Sequence, residues 1–198
     1  MNLNEKSEYF SEIFEGIDCS NMELNGIEFD GCAFNRCSFN EATFRHCRFV
    51  DCEFNHCNLS LMTVDYSSFS DVSFNDSKII GVDWTRAAWQ RLVFNAPIKF
   101  KECLLSDSSF YGLVLNEMLV ENCKAIHVDF SEADLSSACF INTDLLHSIF
   151  SQTNISDADF SGATNYTIDI YKNNIRNAKF SRFESIGLLE SLDIELVD

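Results

Sequence analysis

Residues 29–57 read FDGCAFNRCSFNEATFRHCRFVDCEFNHC, and they hold Cys32, Cys37, Cys47, Cys52 and Cys57 together with His46 and His56. Thiolates and imidazoles are the usual ligands of structural zinc, so the density of these side chains invites a metal site. A second regularity runs through the same segment. Phe29, Phe34, Phe39, Phe44, Phe49 and Phe54 fall at every fifth position. Whether the thiols do chemistry depends on what that period does to the backbone.

The frame extends far beyond this segment. From Phe14 to Phe94 every fifth residue is apolar, and a second frame runs from Phe100 to Phe180 with only Ala125 and Asn165 not large and apolar. Of the 19 phenylalanines, only Phe10 and Phe183 lie outside. A period of five fits neither a helix at 3.6 residues per turn nor a flat strand at 2. It requires a chain that turns inward once every five residues. The residue two before each central one is small: Cys32, Cys37, Ala42, Cys47, Cys52 and Cys57 in the first frame, Ala133, Ala138, Thr143, Ser148, Thr153, Ala158 and Ala163 in the second. A narrow coil thus places one large and one small side chain inside per five residues and turns the other three to water.

The cysteines follow from this pattern. Cys32, Cys37, Cys47, Cys52, Cys57, Cys103 and Cys123 take the small inward place, and Cys19 takes a central one. Free cysteine packs as a small hydrophobe. His46, His56, His127 and His147 stand two after a central residue, where side chains point outward. Thiols inside and imidazoles outside cannot share a metal, so neither a metal nor any other cofactor is expected. Cys32/Cys52, Cys37/Cys57 and Cys103/Cys123 should stack one coil apart, as should His127 and His147.

These residues, including the units AFNRC, TFRHC and DFSEA, resemble the pentapeptide-repeat family over roughly residues 12–182. The resemblance implies an all-β fold, a right-handed quadrilateral β-helix in which four five-residue sides make one coil. Coils about 4.8 Å apart would stack into a rod on the order of 40 Å long, each burying its neighbour's apolar face. One domain is expected: an N-terminal cap over 1–11, coils over 12–182, and a C-terminal element over 183–198. The frame has one fault, the six-residue step from Phe94 to Phe100. It holds the only proline, Pro97, which cannot donate to a ladder. With Trp84 and Trp89 just before it, residues 84–99 read as a local bulge with a one-residue register break near 95–99. In the tail, Phe183, Ile186, Leu189 and Leu192 recur at helical spacing, and Ile194 and Leu196 alternate like a strand. Such a tail either covers the last coil or joins two copies into a closed, isologous homodimer.

A solid rod offers no enclosed cavity, and no phosphate loop or catalytic constellation appears, so no enzyme is expected. No segment has secretory or membrane-spanning character, which points to the cytoplasm. Charge is the informative property: 31 acidic residues against 14 basic ones, a net charge of −17. Glu102, Asp107, Glu117, Glu121, Asp129, Glu132, Asp134, Asp144, Asp157, Asp159 and Asp169 share their stretch with one base, Lys124. Duplex DNA carries one charge per about 1.7 Å, a density this rod approaches. Direct nucleic-acid binding is disfavoured by the same charge. Asp129, Asp134, Asp144 and Asp159 fall on different sides of a twenty-residue coil.

LDIELVD, NYTIDIYKNNI and CNLSLMTV resemble the albicidin-immunity branch of the gyrase-interacting pentapeptide-repeat proteins, and more distantly the quinolone-resistance proteins. That resemblance implies a dimeric DNA mimic that occupies the DNA-gate saddle of DNA gyrase, with topoisomerase IV as a related partner. It would modulate the enzyme or protect it from a toxin or antibiotic. The quinolone-resistance branch carries loops projecting from its coils, and beyond the one extra residue near Pro97 the sequence shows no such insertion. The competing expectation is a β-helical scaffold for an unrelated protein, which should present a neutral or apolar stripe.

Overall fold

The strands pair in parallel with partners twenty residues on. Glu8–Phe10 pairs with Glu28–Asp30, then Arg48–Val50, then Ser68–Ser70. Ile13–Glu15 pairs with Ala33–Asn35, Glu53–Asn55 and Val72–Asn75 in succession. The computed structural model describes residues 3–89, 98–192 and 194, and they form a quadrilateral β-helix of about eight turns. Amide N–H groups reach the coil above throughout, as in Phe44 N to Thr63 O at 2.8 Å.

The corners explain the period. Among described residues with positive φ, all but Asn165 stand two after a central core residue, from Ser11 through Arg36, His46 and Glu102 to Asn177. Left-handed backbone is unusual for residues other than glycine. A chain that takes it every fifth residue turns four times per coil and throws the corner side chain outward. At one corner glycine also makes room: a Cβ on Gly162 would lie 2.1 Å from the Asn142 side-chain oxygen, which would have to swing away.

The core is built of columns. Phe14, Phe34, Phe54, Phe74 and Phe100 stack with successive ring separations of 4.8, 4.6, 4.9 and 5.2 Å. Tyr9, Phe29, Phe49 and Phe69 form a second column on another side. Phe44 stands opposite Leu24, and Thr43 pairs with Thr63 on the following coil, so Leu24, Phe44 and Val64 are buried one coil apart. Burying such rings is the main stabilising term.

Five sequence expectations need correction. The repeat starts earlier than residue 12: Tyr9 is a buried central residue and Glu8–Phe10 is a strand, so the cap shrinks to the 3₁₀-helix Leu3–Glu5. The register fault is larger than one residue. Phe74 pairs with Phe100 and Lys78 with Leu104, both 26 apart where a coil has twenty. Trp89 still packs near Phe69, so six surplus residues fall between Trp89 and Phe100. The place opposite Phe74 that the frame gave to Phe94 belongs to Phe100; Phe94 and Pro97 lie outside the described residues. Near the other end the register shortens, with Phe150 opposite Ile168. Tyr166 and Ile168 are buried, and Asn165 and Ile170 are not. Asp65 is also buried, although every acid was expected to face water.

The fifth concerns the tail. Glu184–Leu192 is a 3₁₀-helix laid against Thr167–Ile168, and Leu188 packs on the core. Leu189 and Leu192 are half-buried, whereas Phe183 is 85% exposed, and Ile186 and Ile194 are exposed too. Ile194 belongs to no strand; Leu196 lies outside the described residues.

A candidate acidic interaction surface

The inward thiols are held by the backbone. Cys47 Sγ donates to Leu24 O at 3.3 Å, Cys52 to Phe29 O at 3.4 Å, and Cys57 to Phe34 O at 3.2 Å. Hydroxyls do the same work later: Thr153 Oγ1 donates to Phe130 O at 2.9 Å and Thr143 Oγ1 to Val120 O at 2.6 Å. The inward residue must therefore be small, and where it carries a thiol or hydroxyl it also serves a carbonyl 23 positions back, a bond the spacing did not reveal. Burial pushes the Cys52 thiol up to about 12. Contact with Cys37, then burial, raises Cys57 further. Neutral, buried thiols are poor nucleophiles and poor metal ligands, and no group of three metal-binding side chains occurs among the described residues.

The histidines are exposed at left-handed corners, as expected. His127 and His147 stack at 5.1 Å, and His46 stacks on Tyr66 at the same separation. His56 Nδ1 lies 2.9 Å from Asp76, and His127 Nδ1 lies 3.5 Å from Asp107. Beside the His127–His147 pair, Leu146 and Ile149 are exposed, giving this edge a neutral ridge.

Ten of the eleven candidate acids separate into two groups, and Glu121 stands apart. Asp129, Asp134, Asp144, Asp159 and Asp169 stand beside central residues and are half-buried. Each folds its carboxylate onto a nearby amide: Asp129 accepts from Ser131 N at 2.9 Å, Asp134 from Ser136 N at 3.1 Å, Asp144 from Leu146 N at 3.2 Å. Asp159 accepts from Ser161 N at 2.9 Å and pairs with Lys179 at 3.2 Å, and these bonds, Ser161's first, hold its pKa below the usual carboxylate range. Asp169 is held down likewise by Tyr171 N and then Lys172. These five lock turns.

Glu102, Asp107, Glu117, Glu132 and Asp157 occupy corners at positive φ and are exposed. Glu102 and Glu117 make no ion pair among the described residues. Glu132 takes a bond from Tyr111, whose pKa it raises, and Asp157 one from Asn177 at 3.0 Å. Glu121 is half-buried on a flat side, taking the Cys139 thiol at 3.5 Å. The corner acids are the exposed ones, and two of them, Glu102 and Glu117, are tied to the rod by no ion pair among the described residues. Sequence position alone placed all eleven outside; the left-handed corner separates them.

At the C-terminal end, Phe183, Ile186 and Tyr171 are exposed apolar side chains. Lys172 pairs with Asp169 at 3.3 Å and Lys179 with Asp159, while Arg176 and Arg182 make no ion pair among the described residues. No helix among the described residues is long and apolar enough to cross a membrane.

Two family profiles match this chain. One described as "Pentapeptide repeat region" covers residues 27–110, and one described as "Pentapeptide repeats (8 copies)" covers residues 129–164. No curated protein matches it. Among solved structures, it is similar to a trypsin-treated variant of QnrB1, a plasmid-mediated fluoroquinolone resistance protein. That match has 16% identity and a TM-score of 0.54, and covers 96% of this chain and 100% of the other. A second trypsin-treated QnrB1 variant has 20% identity and a TM-score of 0.46, covering 100% and 96%. HetL of Nostoc sp. strain PCC 7120, a pentapeptide-repeat protein involved in heterocyst differentiation regulation, has 13% identity and a TM-score of 0.32, covering 88% and 90%.

Proposed function

The chain belongs to the pentapeptide-repeat family, and from that premise we propose that it is a cytoplasmic DNA mimic that binds DNA gyrase. It competes there for the surface that holds the DNA gate segment and so modulates the enzyme or protects it from a poison. Topoisomerase IV, with a similar DNA-binding surface, is the secondary partner. The observation that carries this reading is the placement of uncompensated carboxylates at the corners of a rod with net charge −17. Glycine or asparagine is the low-strain occupant of a left-handed corner. Glu102 and Glu117 accept that strain without an ion pair among the described residues, and Glu132 accepts it with a single bond from the exposed Tyr111. A groove lined with lysine and arginine for DNA phosphates attracts such a rod by the same field. The fold shared with a fluoroquinolone resistance protein is compatible with this role.

The rod acts as a homodimer joined through its C-terminal end. Phe183 and Ile186 are too exposed to serve the fold, and paired tails would bury them in a closed, two-fold contact. Sedimentation of the intact chain as a monomer at micromolar concentration rejects this part.

The neutral ridge at His127, Leu146, His147 and Ile149 favours a second reading, a scaffold that binds another protein through that edge. One experiment separates the two. Purified gyrase is titrated with the parent, with a Glu102→Gln/Glu117→Gln/Glu132→Gln variant, and with a Leu146→Ser/Ile149→Ser variant, across a range of salt. Mimicry requires that parent binding fall steeply with salt, because exposed charges are screened beyond about 8–10 Å. It also requires that the first variant bind more weakly and the second bind like the parent. A parent that ignores gyrase ends the mimic reading.

A further inference from the structure

Asp65 is the one charged residue classed as buried among those described, and it lies near the surface. Two guanidinium groups hold it there. Arg86 Nε is 2.6 Å from one carboxylate oxygen and Arg45 Nη2 is 3.4 Å from the other. Each arginine spends only part of its five-donor fork on this bond, and both stay nearly half exposed. Arg45 Nε is buried and makes no hydrogen bond, with Glu23 no nearer than 3.7 Å. On a rod of net charge −17, the two guanidiniums converge beside an open pocket of about 330 Å³ lined by Arg45, Asp65, Tyr66, Thr85, Arg86 and Ala87.

The backbone opens this pocket. The corner above Tyr66 should be a left-handed residue 86, but Trp84–Arg86 is a 3₁₀ turn capped by Asp83, which accepts from Thr85 N at 3.0 Å. Tyr66 N still bonds Arg86 O at 2.9 Å, so the two residues stand one coil apart. His46 and Tyr66 form a parallel ring stack along this edge. Arg86 is turned to Asp65, so the stack ends at Tyr66, whose side chain is 64% exposed. The next place in the stack is beside the free edge of a guanidinium already fixed by a carboxylate.

We propose that this pocket binds a planar aromatic carboxylate, its ring continuing the His46–Tyr66 stack and its carboxylate bridging to the Arg86 fork. Ring stacking supplies contact area, and the fork supplies a bidentate, charge-assisted pair. Asp65 is the positioning residue that aims both arginines. Nothing in this depends on gyrase binding.

The test titrates the full chain with 2-naphthoate while backbone amide NMR signals are followed. Saturable shifts are expected at Tyr66, Thr85, Arg86 and Ala87. The uncharged 2-naphthylmethanol and inorganic phosphate, each offering half of the ligand, should bind at least roughly tenfold more weakly. Arg86→Lys keeps the charge beside Asp65 but loses the fork, and should weaken 2-naphthoate by roughly tenfold with an unchanged thermal melt. Tyr66→Leu should do likewise. Absence of saturable shifts at these amides overturns the proposal, as does full-strength binding to Arg86→Lys. Equal binding of the alcohol or of phosphate overturns the joint recognition of ring and charge.

Discussion

The coils before Trp89 and those after Ile98 share a backbone and differ in what fills it. In the earlier coils, phenylalanine columns are flanked by cysteines, and the small inward places at 32, 37, 47, 52 and 57 all carry thiols. The later coils put leucine, valine and isoleucine between the rings and use Ala133, Ala138, Thr143, Ser148 and Thr153 inward. The surfaces differ as well. The earlier coils tie acids to bases across neighbours: Arg36 to Glu15 at 3.3 Å, Arg48 to Glu28, Arg86 to Asp65 at 2.6 Å. The later coils leave Glu102 and Glu117 without an ion pair among the described residues. The corner geometry thus fixes where side chains go and leaves their chemistry open. The earlier region pairs its arginines with acids, and the later one pairs Asp159 with Lys179 and Asp169 with Lys172 but leaves corner acids such as Glu102 and Glu117 facing solvent.

The largest effect should come from the ring core. Phe44 is 2% exposed and meets Phe39 and Phe49 at 5.4 and 5.2 Å. Phe44→Asp buries a carboxylate without a partner, at a cost of several kcal/mol, and Phe44→Ala should cost about 3–5 kcal/mol. Leu135→Ala in the later coils should fall at about 2–4 kcal/mol, because no ring stack is lost. A Phe44→Asp chain that melts like the parent would disprove the register.

Alkali should separate the regions next. Below pH 9 the Cys52 thiol is protonated in both states. Between pH 9 and about 12 the unfolded chain releases that proton and the folded chain keeps it. The unfolded state is then favoured increasingly, so stability falls as pH rises through this window. Burial raises Cys32 and Cys47 in the same direction. A Cys32→Ser/Cys47→Ser/Cys52→Ser variant, compared with the parent by denaturant titration, should lose less stability between pH 9 and 11. Parallel curves would show that these thiols do not keep their protons.

Third in size is the inward donor. Thr153→Val keeps the shape and the Thr153 N–H bond to Asn173, and removes the hydroxyl bond to Phe130 O, which Ala133 N alone among the described residues then serves, costing about 0.5–1.5 kcal/mol. Cys57→Ala removes a thiol, a weak donor, and should cost less despite equal burial. Equal losses by chemical denaturation would mean that filling volume, and not satisfying the carbonyl, selects the inward residue.

Much of this was legible in the sequence because the period is strict. Phe14 to Phe74 and Phe100 to Phe160 land in the core as the five-residue step requires, and the histidines land outside. Three things were not legible. Trp84 and Trp89 continue the apolar frame, and Phe94 does too in sequence, so six surplus residues passed for one. Tyr166 and Ile168 displaced Asn165 and Ile170 because only a polar residue marked the slip, and the alternative register buries two large side chains. The split of the acids into turn-locking and corner groups rests on φ, which spacing does not carry. Asp65 was missed for a related reason: it stands at an outward position, and only Arg45 and Arg86 from adjacent coils cover it.

The smallest effect has opposite signs in the two regions. Arg48 and Glu28 are partly exposed and paired across one coil. Exposed pairs contribute about 0–1 kcal/mol, so Arg48→Gln should destabilise by a few tenths of a kcal/mol. Glu102 and Glu117 make no ion pair among the described residues, on a rod of net charge −17. Their charge is worked against by self-repulsion. Glu102→Gln and Glu117→Gln, which remove charge and keep length, should therefore stabilise by a few tenths of a kcal/mol at low salt. Both effects should shrink as the screening length drops to about 3 Å at 1 M salt. Urea midpoints for the three variants at low and high salt read the sign directly. A late-coil variant that loses stability at low salt would place a fold-holding contact on that corner, and the division between a surface that serves the rod and one that serves a partner would fail there.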